Sequence, residues 1–219
     1  MKTDLYPVMY RIVTVLSILA CFIPFILLIW KKLWKEKVYV LICGYWLING
    51  LINIGPLFNL PISIRVEEMV TLTANAFDTP LVLGIFYLAS KGSRRTALKV
   101  TFFAFVLFEA LVISLKGFNY TSSSIIIGVG LVVVIIYGAM GIFSYLGRFE
   151  HTPAENVMVF IYSSFLFFYG TFIIIYIFSY LIHTGDDSDN FFLYYIELFI
   201  AALPAIYGLL KYPGQSSSS

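Results

Sequence analysis

Three acidic residues, Asp78, Glu109 and Glu197, lie inside long apolar stretches of the sequence. Asp78 is near the middle of the stretch 69–90, which is long enough to cross a bilayer. A charge at that depth is costly, so an acidic residue there is a candidate functional group. No Lys or Arg lies deep in these stretches, and burial without a cationic partner disfavours the charged form. We therefore expect at least one of the three carboxyls to be protonated at neutral pH and able to exchange a proton or receive a cation.

Polar side chains occur at a similar depth in neighbouring stretches. Asn49 and Asn53 are four residues apart, which places them on one face of a helix. Asn75 precedes Asp78 by three residues on the same predicted face, and Thr79 follows it directly. At about 1.5 Å of rise per residue, the acids and amides fit within a slab on the order of 10 Å thick. This pattern predicts a polar cavity shared by several helices.

A tyrosine completes the predicted site. Tyr162, Tyr169 and Tyr176 recur every seven residues and span about 21 Å along one helix face. At least Tyr169 must therefore lie deep, where its hydroxyl needs a hydrogen-bond partner such as an acid. The predicted ligand- or ion-binding residues are Asn49, Asn53, Asn75, Asp78, Thr79, Glu109, Tyr169 and Glu197.

The same residues also have a purely structural interpretation. Protonated acids, amides and hydroxyls can link helices through hydrogen bonds worth about 1 kcal/mol each. Each acid alone fits this interpretation, whereas three acids at a similar depth favour a functional cavity. Both interpretations remain open at the level of sequence.

The elements that carry these residues are transmembrane helices. The chain has 219 residues, of which 60% are hydrophobic and 12% are charged, against about 25% charged in soluble domains. Seven apolar stretches approach the roughly 20 residues needed to cross the hydrocarbon core. The sequence predicts an all-α, integral membrane bundle of seven transmembrane helices over residues 1–212, followed by a disordered polar tail over 213–219.

The distribution of Lys and Arg predicts the orientation. Ten basic residues fall on one side of the predicted bundle and four on the other. Since cytoplasmic loops are enriched in Lys and Arg, the N-terminus is expected outside and the C-terminus in the cytoplasm. We expect a multi-pass protein of a plasma membrane, most simply a bacterial inner membrane. The ten residues are Lys31, Lys32, Lys35, Lys37, Lys91, Arg94, Arg95, Lys99, Arg148 and Lys211.

Other chemistries have little support in the sequence. His151 and His183 lie near predicted helix ends, and Cys21 and Cys43 lie in apolar stretches without metal-ligand spacing. A net charge of +2 does not indicate a nucleic-acid partner. We expect no metal, no cofactor and no catalytic residue, and an enzyme is the least favoured of the functional classes.

The overall pattern resembles the microbial (type 1) rhodopsin family. The run Asp78-Thr79-Pro80-Leu81 is similar to the Thr-Thr-Pro-Leu stretch of the third helix in that family. The resemblance implies a seven-helix bundle in which Glu109 bonds Thr79 and Glu197 occupies the place of an acidic counterion. The position of the family's retinal lysine reads Ala201, and Lys211 lies at the end of the last helix. The resemblance therefore implies the fold without covalent retinal.

Three functional classes follow from these observations. The favoured one is binding of a small ligand, or translocation of a solute linked to a proton or cation, through the acidic cavity. The second is an assembly subunit of a membrane complex that contacts its partner through the glycine-lined fifth helix. The third is an intramembrane enzyme. The glycines of the fifth helix are Gly128, Gly130, Gly138 and Gly141.

Overall fold

The protein is a bundle of seven long α-helices, as the composition predicts. A computed structural model describes residues 5–57, 63–178 and 187–213. Within these ranges, seven helices are long and apolar enough to cross a membrane, so the prediction of an integral membrane bundle is confirmed. The predicted tail falls outside the described residues except for its first position. The helices are α1 (Leu5–Trp30), α2 (Lys37–Leu57), α3 (Ile64–Ala89), α4 (Gly92–Lys116), α5 (Tyr120–Leu146), α6 (Pro153–Tyr176) and α7 (Asp187–Lys211).

The helices close into a ring with one helix set to the side. Helix α1 packs against α2 and α7, and α6 packs against α5 and α7. Helix α3 contacts α2, α4 and α5, while α4 packs mainly on α3 and α5. The side chains of α2, α3 and α6 consequently meet inside the bundle.

Local sequence signals set the starts of two helices. Helix α5 begins with a capping box in which the Asn119 side chain accepts from the Ser122 backbone N–H. Helix α6 begins with a second capping box between Thr152 and Glu155, with Pro153 in the first turn. These side chains satisfy backbone donors that have no partner within the helix, so the connections to α5 and α6 can be short.

Glycines on α5 allow close contact with neighbouring helices of the same chain. A Cβ atom on Gly141 would lie 2.6–2.7 Å from three ring atoms of Tyr162, and one on Gly130 would lie 2.2 Å from the Thr79 hydroxyl oxygen. Small residues are used in this way where transmembrane helices approach closely. The glycine face is thus occupied by α3 and α6, and a partner at α5 would instead meet exposed side chains such as Val132 and Phe143. The predicted partner contact stays a prediction.

At the end of the bundle that carries most of the basic residues, Lys31 links α7 to the connection between α1 and α2. The Lys31 amine donates hydrogen bonds to the backbone carbonyls of Leu209, Leu210 and Tyr212, at the end of α7. Burial lowers the pKa of this amine. The Tyr212 hydroxyl donates to Glu36 Oε1 at 2.8 Å. These contacts hold the end of α7 against the connection between α1 and α2.

Candidate functional site

The centre of the candidate site is a carboxyl on α3 held by a phenol from α6. The Tyr169 hydroxyl donates a hydrogen bond to Asp78 Oδ2. Tyr169 is buried, and Asp78 is partly buried. The prediction that Tyr169 lies deep and reaches the acid cluster agrees with this geometry.

A second phenol, from α2, adjoins the same pair. The buried Tyr45 hydroxyl interacts with both Asp78 and Tyr169, although its geometry does not meet the criteria of a hydrogen bond. The Asp78 site, defined here as Asp78, Tyr169 and Tyr45, therefore has one donor engaged and a second in place.

The two predicted asparagines of α2 extend this site toward α7. Asn53 Nδ2 donates to the Tyr194 hydroxyl at 3.2 Å and to the Asn49 carbonyl at 2.8 Å. Asn49 Nδ2 in turn donates to the Tyr45 carbonyl at 3.0 Å. Tyr194 lies near enough to Asp78 for their charges to interact. Asn53 thus bridges two helices beside the Asp78 site, whereas the Asn49 amide bonds within its own helix.

Asn75 and Thr79 point to α5 instead. Asn75 Nδ2 donates to Ser123 Oγ at 3.0 Å. Thr79 is buried where α3 meets Gly130. Both residues therefore fix the distance between α3 and α5 and flank Asp78 without binding it.

Glu109 lies close to Asp78 but bonds differently from the expectation based on resemblance. It is buried on α4, and its Oε1 atom has no hydrogen-bond partner. Its carboxyl is near enough to Asp78 for their charges to interact. No hydrogen bond joins Glu109 to Thr79 in the described part of the chain. Glu109 is a second acid on the α4 side of the Asp78 site.

Glu197 belongs to a different environment. It is 4% exposed on α7, and neither carboxyl oxygen has a hydrogen-bond partner. Its neighbours are Thr171 and the Phe172 backbone on α6, and the Thr171 hydroxyl donates to the Phe167 carbonyl at 2.8 Å. None of these residues contacts Asp78. The structure thus brings Asp78 and Glu109 together and leaves Glu197 in the contact between α6 and α7.

Aromatic rings fill the space around the Asp78 site. Trp46 lies 6.3 Å from Phe168 and 6.4 Å from Phe165, measured between ring centroids. Tyr45 packs edge-on against Phe165 at 4.9 Å. These side chains are buried and pack on the rings of Tyr45 and Tyr169 beside the carboxyl. Electrostatic interactions at this place are correspondingly stronger than they would be in water.

Ala201, which the sequence resemblance aligned with a retinal lysine, is fully buried against α6. Its carbonyl accepts a hydrogen bond from Ser164 Oγ at 2.5 Å.

Among the described residues, no group of three or more His, Cys, Asp or Glu side chains could hold a metal ion.

Two residues are missing from the sequence-based prediction: Tyr45, which belongs to the Asp78 site, and Tyr194, which is bonded by Asn53 beside it. Tyr45, Asn49 and Asn53 are spaced by four, so extending the predicted asparagine face by one turn identifies Tyr45. Tyr194 precedes Glu197 by three residues and shares its helix face, but sequence alone gives no reason to pair it with α2. Tyrosine is also common in membrane-interface belts, which weakens its value as a signal.

Comparison with known proteins gives no relative from which a role could be transferred: no protein-family model, curated protein or solved structure matches the chain.

Proposed function

We propose that this protein is a proton- or cation-linked transporter or ligand-binding protein of a plasma membrane, with Asp78 as its titrating group. One observation carries the proposal: a carboxyl inside a transmembrane bundle is bound by the Tyr169 phenol and has no basic partner among the described residues. Intramembrane acids of this kind mark ion and proton pathways. The rhodopsin-like arrangement of helices remains part of the proposal, with no covalent retinal.

The hydrogen-bond donors beside Asp78 are compatible with both protonation states of its carboxyl. Phenol hydroxyls can donate to a carboxylate, and Tyr169 already does so. After protonation the carboxyl can donate in turn, so the contact survives in both states. Tyr45 offers a second phenol that is not yet bonded. The site can therefore stabilise the carboxylate, and a proton or cation that binds there can neutralise it.

The position of Glu109 favours coupling between two acids. Since its carboxyl interacts with Asp78, charge on one group disfavours charge on the other. A proton or cation that neutralises Asp78 makes ionisation of Glu109 easier.

The test is proton binding by purified protein in detergent, followed by infrared difference spectroscopy during a pH titration. A protonated carboxyl gives a distinct carbonyl stretch, which Asp78→Asn should remove from the titrating set. Glu197→Gln is the matched control, because that carboxyl contacts none of the Asp78 site. In proteoliposomes containing a pH-sensitive dye, Asp78→Asn should abolish proton entry after an external acid pulse. A well-folded Asp78→Asn protein with an unchanged spectrum and unchanged entry would reject the proposal and leave Asp78 with a structural role.

A further inference from the structure

A second polar cluster, separate from the Asp78 site, surrounds an arginine at the start of α4. Arg94 is the third residue of α4, and its side chain turns inward between α5 and α6. Its Nη2 atom donates to the Tyr137 carbonyl at 3.0 Å, and its guanidinium lies 5.2 Å from the Tyr162 ring centroid. Its Nε atom is buried and has no hydrogen-bond partner. The cation is thus partly removed from water while at least one of its donors stays unmatched.

A buried hydroxyl completes this cluster. Ser90 is 5% exposed at the end of α3, and its Oγ atom has no hydrogen-bond partner. Ser90 and Arg94 both adjoin the Tyr162 hydroxyl. A buried polar group without a partner costs roughly 1–3 kcal/mol. The guanidinium and two hydroxyls therefore converge from α3, α4 and α6 on one place.

Among the residues that the structure describes, no acid forms an ion pair with Arg94. In the described part of the chain, the distance criterion for an ion pair is met by Arg148 and Glu155 alone. The α4 N-terminus is also uncapped: Lys91 makes no side-chain capping bond, and the first turn holds no acid. Exposed Lys91, Arg95 and Lys99 add positive charge around it. The N–H groups of an arginine guanidinium and the backbone N–H groups of a helix N-terminus can together donate hydrogen bonds to a tetrahedral oxyanion.

We propose that Arg94, Ser90 and Tyr162 form a binding site for a phosphate-type oxyanion at the basic end of the bundle. The anion supplies acceptors for Arg94 Nε and Ser90 Oγ, which make no hydrogen bond in the described part of the chain. The oxyanion is either the headgroup phosphate of an anionic lipid or a free phosphate group. Ser90 is twelve residues from Asp78 along α3, or about 18 Å, so this site is independent of the proposed transport site.

The experiment measures thermal stability of the purified full chain with two probes. Inorganic phosphate is compared with sodium chloride at equal ionic strength, and nanodiscs of phosphatidylglycerol are compared with nanodiscs of phosphatidylcholine. A stabilisation by free phosphate assigns the site to soluble phosphate, and a stabilisation by phosphatidylglycerol alone assigns it to a lipid headgroup. Absence of both shifts in the wild-type protein overturns the proposal.

Variants distinguish anion binding at a defined site from attraction to the surface charge in general. Arg94→Gln should remove the shift, whereas Lys99→Gln, which deletes an exposed charge of the same helix, should keep it. Equal loss in both variants would show diffuse charge attraction and overturn the proposal. Ser90→Ala keeps the proposal testable if Arg94→Gln fails to fold. A purely structural serine predicts equal or higher stability and an unchanged anion shift, whereas the proposed site predicts an anion shift reduced severalfold.

Discussion

The hydrogen bond between Tyr169 and Asp78 should have a coupling energy that a neutral contact between transmembrane helices does not reach. The perturbation is a double-mutant cycle in which Asp78→Leu and Tyr169→Phe are made separately and together. Hydrogen bonds to charged groups contribute about 1.5–3 kcal/mol, whereas neutral contacts between transmembrane helices average about 0.6 kcal/mol. Because the Tyr169 phenol that makes the contact is buried among aromatic rings, we expect a value in the upper range.

The chain provides a neutral pair as an internal control. The hydroxyls of Thr101 and Tyr137 lie 2.7 Å apart between α4 and α5, and neither carries a charge. A cycle of Thr101→Val and Tyr137→Phe should therefore give a coupling energy near 0.6 kcal/mol. Both cycles are measured by unfolding the detergent-solubilised protein with increasing denaturing detergent. Far-ultraviolet circular dichroism reports loss of helix, and fluorescence of the buried Trp46 reports the packing near the site.

The difference between the two coupling energies tests whether Asp78 carries a charge. A coupling energy of about 1.5 kcal/mol or more for the acid and phenol, with a smaller value for the hydroxyl pair, supports a charged Asp78. Equal values would show that the Asp78 contact is an ordinary interhelical hydrogen bond. That result would refute the assignment of charge to this site even if the bundle folds as described.

Three further predictions concern packing, helix termination and topology. Gly141→Ala should destabilise the protein by about 1–3 kcal/mol because the added methyl overlaps a buried tyrosine ring; thermal unfolding should show no such loss for Gly170→Ala, where nothing lies within 4 Å. Lys31→Met should cost about 1–2 kcal/mol, since the charged amine bonds the last carbonyls of α7; exposed Lys35→Met is the control, and equal losses would contradict this explanation. A reporter active only in the cytoplasm should work when fused after Lys211 and stay silent when fused within residues 186–189, on the side expected outside; the reverse pattern would show that the orientation is wrong.

The sequence was sufficient for the helices and for most of the polar residues. A bilayer admits only backbone whose polar groups are satisfied internally, so apolar stretches of about 20 residues leave helices as the solution. Depth along such a helix follows from residue counting, which is why Tyr169 could be predicted to lie at the level of the acids. Asn53 was predicted beside them for the same reason, and it contacts Tyr194 near the site.

Only the tertiary structure decided which polar groups share an environment. Helix rotation about the long axis depends on side-chain packing, such as the insertion of Thr79 against Gly130, and hydropathy does not encode it. This packing directs Asn75 to Ser123 and separates Glu197 from Asp78. It also turns Arg94, which the sequence presents as one of ten basic loop residues, into a partly buried cation beside Tyr162. Residue counting gives depth within the membrane, but contacts between helices depend on the fit of their surfaces, which exists only once the bundle has formed.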